Sequence, residues 1–127
     1  MIAEFLLSPD SSQKLFLLKG FAGTGKTSIT VTIIQNLPLI NYHFVLLAPT
    51  GRAAKVMSHF TNQQAFTIHK HIYYPKSEQG NFSFRLRPNR QHNTLFIVDE
   101  ASMIAESDLQ IIVASFSSHV HRVQQVL

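Results

Sequence analysis

Three short apolar runs punctuate the chain: Leu15-Phe16-Leu17-Leu18, Phe44-Val45-Leu46-Leu47-Ala48, and Leu95-Phe96-Ile97-Val98 within Thr94 to Val98. A strand with no polar alternation has no solvent face, so each run predicts a strand buried on both sides, as parallel sheets require. Between the runs the spacing turns helical. Thr27 to Leu37 places Ile29, Ile33, Ile34 and Leu37 on one face, and Pro38 ends the helix. After the break at Pro49-Thr50-Gly51, Arg52 to Phe60 predicts a short helix carrying Ala53, Val56, Met57 and Phe60. Thr67 to Tyr73 predicts another, with Thr67 as N-cap, and Leu109 to Phe116 a further one. One stretch alternates strictly. Phe82-Ser83-Phe84-Arg85-Leu86-Arg87, inside the polar Lys76 to Asn93 segment, predicts a solvent-facing strand or hairpin arm. Ile2 to Leu7 reads as the end of a helix and Ser8 to Ser12 as a loop, while Val120 to Leu127 fits helix and strand equally. Strands alternating with helices imply an α/β fold: a mostly parallel sheet covered on both faces.

Composition narrows this. At 127 residues the chain is at most one small domain, and 45% hydrophobic residues suffice for a core. Without cysteine there is no disulfide framework and no thiolate metal site, which fits a reducing cytoplasm. No apolar run approaches membrane-spanning length, and Met1 to Leu7, with Glu4 and no early base, does not read as a signal peptide. The net charge of +4 is unevenly spread. Between Arg52 and Arg90 seven bases face one acid, Glu78, leaving four bases and six acids elsewhere. That basic segment suggests an anionic polymer as partner, although a solvated basic face looks the same on charge alone.

The chemistry centres on Gly20-Phe21-Ala22-Gly23-Thr24-Gly25-Lys26-Thr27, which meets G-x-x-x-x-G-K-[ST] at every fixed position. Gly20, Gly23 and Gly25 let the backbone turn tightly and approach a phosphate, and successive N–H groups then form an anion-binding nest. Lys26 supplies a point charge toward the β- and γ-phosphates, and Thr27 a hydroxyl ligand for Mg²⁺. The loop follows an apolar strand and opens a helix, whose N-terminal partial charge favours phosphate further. The expected nucleotide contacts are Gly20, Ala22, Gly23, Thr24, Gly25, Lys26, Thr27 and Ser28.

A second cluster ends the third apolar run. A buried strand finishing in Asp99-Glu100 delivers two carboxylates to the sheet's carboxyl edge, where ligands bind in open α/β sheets. Such a pair is often only a helix cap. Downstream of a full phosphate loop, Asp99 reads as the Mg²⁺ ligand and Glu100 as the group that orients and deprotonates the attacking water. An acid beside the Mg²⁺ ligand suggests a hydrolase rather than a kinase.

Four motifs then occur in order: Gly20 to Thr27, Ala48-Pro49-Thr50-Gly51-Arg52-Ala53-Ala54-Lys55, Thr67-Ile68-His69, and Val98-Asp99-Glu100-Ala101-Ser102-Met103-Ile104. Together they resemble the first motor domain of a superfamily 1 DNA helicase of the RecD-like group, which includes exodeoxyribonuclease V alpha subunits and implies a role in DNA repair. The resemblance covers Leu15 to Ile104 and implies a RecA-like P-loop NTPase fold, ATP and Mg²⁺ as cofactors, and single-stranded DNA as partner, with other helicase-nuclease subunits as further partners. It assigns Pro49, Thr50, Arg52, Thr67 and His69 to DNA contact, and a hydroxyl, a base and the free N–H groups of a turn suit backbone phosphates. Phe60, Phe66, Tyr73 and Tyr74 are candidates for stacking bases, with core packing the plainer role for most. His69-x-His71 and His119-x-His121 have metal-pair spacing but no third ligand.

The departures from the family also set expectations. A glutamine motif that reads adenine is expected upstream, and Gln13 lies too close to the strand to serve. After Ile104 the family has a strand ending in Gly-Asp and then Gln-Leu-Pro-Pro, and neither occurs here. Residues 1–127 are therefore expected to form a partial first motor domain, without the second motor domain and its arginines. Unless Val120 to Leu127 fills the slot between the phosphate-loop strand and the Asp-Glu strand, the sheet would have a central gap and be marginal. Two alternatives stay open: a P-loop ATPase of another kind, such as an AAA-type remodeller, and an inactive fragment that binds nucleotide or DNA weakly.

Overall fold

The computed structural model describes residues 14–18, 25–88, 94–108, 111 and 122–126. The elements are β1 (Lys14–Leu18), α1 (Lys26–Asn36), β2 (His43–Ala48), α2 (Gly51–Thr61), β3 (Ala65–Thr67), α3 (Ile68–Ile72), β4 (Tyr73–Glu78), β5 (Asn81–Leu86), β6 (Thr94–Val98) and β7 (Arg122–Val126). Five strands make one parallel sheet in the order β1-β7-β6-β2-β3, and β4 and β5 form a separate antiparallel hairpin.

The ambiguous tail is a strand, and it lies in the slot left open by the sequence. β7 pairs with β1 from Lys14↔Arg122 to Leu18↔Val126 and with β6 from Leu95↔Arg122 to Val98↔Gln125. The sheet has no central gap, so the ground for expecting a marginal fold is gone. Because every pair is parallel, the carboxyl ends of β1, β7, β6, β2 and β3 share one edge.

Burial explains the apolar runs. Every residue of β6 is buried, and so are Leu46, Leu47 and Ala48 of β2. Alternate residues face opposite sides. Leu46, Leu95 and Ile97 pack under α1 and α2 with Ile33, Ile34, Leu37 and Met57. Leu47, Phe96 and Val98 pack on the other side with Ile68 and Ile72 of α3 and with Ala101. Helices thus cover both faces, and a strand buried twice is apolar along its length, as β6 is from Leu95 to Val98 after the buried Thr94 at its start.

Several local expectations are corrected. α1 stops at Asn36, and Pro38 lies inside a 3₁₀ turn over Leu37–Ile40 rather than just after the helix. Thr30, 4% exposed, is buried where Ile29, 36% exposed, was expected, because its hydroxyl donates to Lys26 O at 3.1 Å and so needs no water. On α2 the buried residues are Ala54 and Met57, while Val56 and Phe60 are exposed. The four candidates form one stripe at helical spacing, but the helix is turned so that Ala54 and Met57, with Ser58 and Thr61 half-buried beside them, face the sheet instead. Ile2 to Leu7, Ser8 to Ser12 and most of Leu109 to Phe116 lie outside the described residues.

Candidate nucleotide and nucleic-acid site

The phosphate-loop residues Gly20, Ala22, Gly23 and Thr24 lie outside the described residues. The loop's far end is described. Gly25 caps α1 with φ 87, a left-handed conformation that L side chains rarely adopt, and a Cβ there would meet nothing within 4 Å. Conformation, not space, therefore demands glycine. Lys26 opens the helix and Ser28 is exposed in its first turn, which holds no acid. A cation at a helix N-terminus opposes the helix dipole, an arrangement that suits an anion bound there.

Asp99 and Glu100 follow β6 directly. Asp99 N donates to Leu47 O at 3.0 Å, which extends the β6–β2 pairing one residue past the strand. Glu100 N donates to Asp99 Oδ1 at 2.9 Å and so fixes that carboxylate. Asp99 is half-buried and Glu100 exposed. Glu100 takes φ 56 and ψ 36, a left-handed backbone that a non-glycine residue holds only when its surroundings impose it. The 3₁₀ turn Ala101–Met103 does so, through Met103 N donating to Glu100 O at 3.0 Å. A crevice of about 100 Å³ is lined by Asp99 and Glu100, by Thr30 of α1, and by Val56, Met57 and Phe60 of α2. The phosphate-loop helix and the carboxylate pair thus face one space. Asp99 brings a carboxylate to this space, a hard oxygen donor of the kind Mg²⁺ takes together with phosphate oxygens, while the Thr27 side chain lies outside the described residues.

The DNA-contact candidates gather on the same edge. Thr50 caps α2, its Oγ1 accepting from Ala53 N at 3.1 Å, and Thr67 caps α3, its Oγ1 accepting from Lys70 N at 3.3 Å. Each hydroxyl keeps its own hydrogen to donate to a phosphate. Ala48 is paired with Thr67 across β2 and β3, so the two caps are neighbours at the sheet edge. Arg52 is exposed in the first turn of α2, again a cation against the dipole.

A larger cleft, about 450 Å³, opens beside them, lined among others by Pro49, His69, Tyr73, Met103, Ile104 and Asp108. The His69 ring lies 4.8 Å from that of Tyr73 and 5.1 Å from that of Phe84 on β5. Phe82, Phe84 and Leu86 alternate along β5 and are all exposed, and Phe60 and Phe66 are exposed as well, against the expectation of core packing. Sequence reading passed over Phe82 and Phe84 as site candidates. Their signal was present in the strict alternation of Phe82 to Arg87, which puts phenylalanine on a strand with no buried face. His71, unlike His69, turns inward to the Phe96 ring, 5.8 Å away. Burial, and secondarily the Arg87 charge, hold its pKa below the ordinary 6.5. Among the described residues no group of three or more metal-ligating side chains occurs.

Comparison with known proteins fits this arrangement. The family described as "AAA domain" matches residues 6–126. The chain belongs to it. This AAA-domain chain is 32% identical over 97 residues to the ATP-dependent RecD2 DNA helicase of Deinococcus radiodurans, a match covering 76% of the chain and 13% of the relative. It is 31% identical over 102 residues to the ATP-dependent DNA helicase dda of Enterobacteria phage T4, covering 77% of the chain and 23% of the relative. The chain thus spans less than a quarter of either relative. The resemblance to a RecD-like superfamily 1 motor domain is borne out, and with it the parallel α/β fold of a P-loop NTPase.

Proposed function

We propose that residues 1–127 are part of the first motor domain of an ATP-dependent DNA helicase, the part that binds and hydrolyses ATP while holding single-stranded DNA. The observation that carries this reading is the crevice shared by α1 and the Asp99-Glu100 pair, with the capped threonines on the same sheet edge. Gly20, Ala22, Gly23, Thr24, Gly25 and Ser28 cradle the phosphates, and Lys26 neutralises them. Thr27 and Asp99 would hold Mg²⁺, which would supply charge stabilisation to the transferring phosphoryl group. Glu100, exposed at the crevice, orients water and takes its proton. Pro49, Thr50, Arg52, Thr67 and His69 hold the DNA backbone. Unwinding needs a second motor domain, and helicase-nuclease subunits are the further partners this reading admits. Among the described residues no helix is long and apolar enough to cross a membrane, and a cytoplasmic location suits a DNA motor.

Mg²⁺-ATP hydrolysis measured with and without single-stranded DNA, beside Lys26→Ala, tests the reading. Turnover that rises with DNA and disappears with Lys26 is the expected result. Nucleotide affinity unchanged in Lys26→Ala would remove the phosphate-loop assignment.

A further inference from the structure

The two cavities are joined by one piece of backbone. Asp99 and Glu100 line the smaller crevice, and Met103, Ile104 and Ala105 line the larger cleft beside Pro49, His69 and Tyr73. The connector is the 3₁₀ turn Ala101–Met103. Its first residue is anchored, because Ala101 is buried among Phe96, Val98, Ile68 and Ile72. Its last is not, because Met103 is 60% exposed in the cleft. Yet Met103 N–H grips the carbonyl of Glu100, whose left-handed backbone depends on its surroundings.

We infer that Met103 is a positioning residue through which occupancy of the nucleic-acid cleft is felt at Glu100. This rests on the function proposed above and adds the route by which its two ligands communicate. A nucleotide unit of single-stranded DNA held by Pro49 and His69 lies against the Met103 side chain. An unbranched thioether adapts to such a neighbour, and moving it moves the N–H that holds Glu100. Ala101, fixed in the core, makes the turn pivot rather than slide. The smaller crevice then differs between DNA-free and DNA-bound protein, and nucleotide affinity differs with it. Linkage requires the same factor in reverse, from nucleotide to DNA.

The test measures binding, not turnover. The affinity of a fluorescent, non-hydrolysable ATP analogue with Mg²⁺ is determined with and without saturating oligo(dT), and that of oligo(dT) alone is determined separately. In the wild-type chain DNA is expected to change the analogue's affinity by about fivefold or more, the lower range of measured couplings. Met103→Ala is expected to bring that factor to near one while the analogue alone binds as before and oligo(dT) alone still binds, weakened only by the loss of one apolar contact. Met103→Leu is expected to restore it. Since Met103 is exposed, neither variant threatens the fold. Full coupling in Met103→Ala, or loss of oligo(dT) binding itself, overturns the inference. A wild-type chain that binds both ligands without coupling overturns it too, while leaving the proposed function standing. A wild-type chain that binds neither overturns the proposed function and the inference with it.

Discussion

β5 and β6 are strands of six and five residues, each with a phenylalanine near its middle, and they live in opposite environments. Every residue of β6 is buried and every residue of β5 is exposed. In β6 apolar residues run without a break, because α1 and α2 cover one face and α3 the other. In β5 Phe82, Phe84 and Leu86 alternate with Ser83 and Arg85, although neither face meets a core. The two strands thus do different work: β6 carries Asp99 and Glu100 to a fixed position, and β5 leaves aromatic and basic side chains on the surface. The hairpin is stabilised mainly by its own ladder, with Glu78 at its tip held by Lys76 and, at 3.7 Å, by Arg85. Exposed pairs of this kind add little.

Substitution sharpens the contrast. Phe96→Ala empties a site in the middle of the sheet and is expected to cost about 3–5 kcal/mol in urea unfolding. Phe84→Ala on β5 is expected to stay within about 0.5 kcal/mol. Equal losses would mean that the hairpin belongs to the core. Arg52→Ala, at the exposed edge, is expected to leave stability unchanged or slightly raised, since the cation there opposes the helix dipole by about 0.3–1 kcal/mol. It should weaken single-stranded DNA binding and flatten the salt slope by about one unit. An unchanged slope would mean that Arg52 meets no phosphate.

The smallest expected effect is one of pH. His71 lies against Phe96, and burial with the Arg87 charge keeps its native pKa below 6.5. The unfolded chain therefore takes up the proton first as pH falls. Its contribution to stability is complete above 6.5, declines below that value, and levels off beneath the lowered native pKa. The melting temperature of His71→Gln should fall less between pH 7.5 and pH 5.5 than that of the wild type, and identical falls would show that His71 titrates normally.

What could be read beforehand follows the same division. β6 with its terminal acids, β2, and the N-cap at Thr67 were legible, because double burial and capping each impose a local residue pattern. β3 was not, since Ala65–Thr67 is too short to show any period. β7 was not either: Arg-Val-Gln-Gln-Val favours no element by itself, and the open edges of β1 and β6 decide that it is a strand. The crevice beside Glu100 and the cleft at Met103 were beyond sequence reading, because each is built from elements far apart in the chain. The expectation that Phe60 and Phe66 serve the core failed for a related reason: hydrophobicity marks what a side chain prefers, not which surface is available to it.

The place of β7 also sets an order in time. Lys14 pairs with Arg122, so the strand before the phosphate loop finds its sheet neighbour only after the intervening chain has been made. Closing so long a loop costs entropy before any pairing repays it, and contacts this distant in sequence slow folding. During synthesis β2, β3 and β6 can assemble with their helices, while β1 waits with its edge unpaired. Until β7 is made β1 has no neighbour in the sheet, although α1 can already pack on β2 and β6, and the nascent chain carries an unpaired strand edge that invites misassociation.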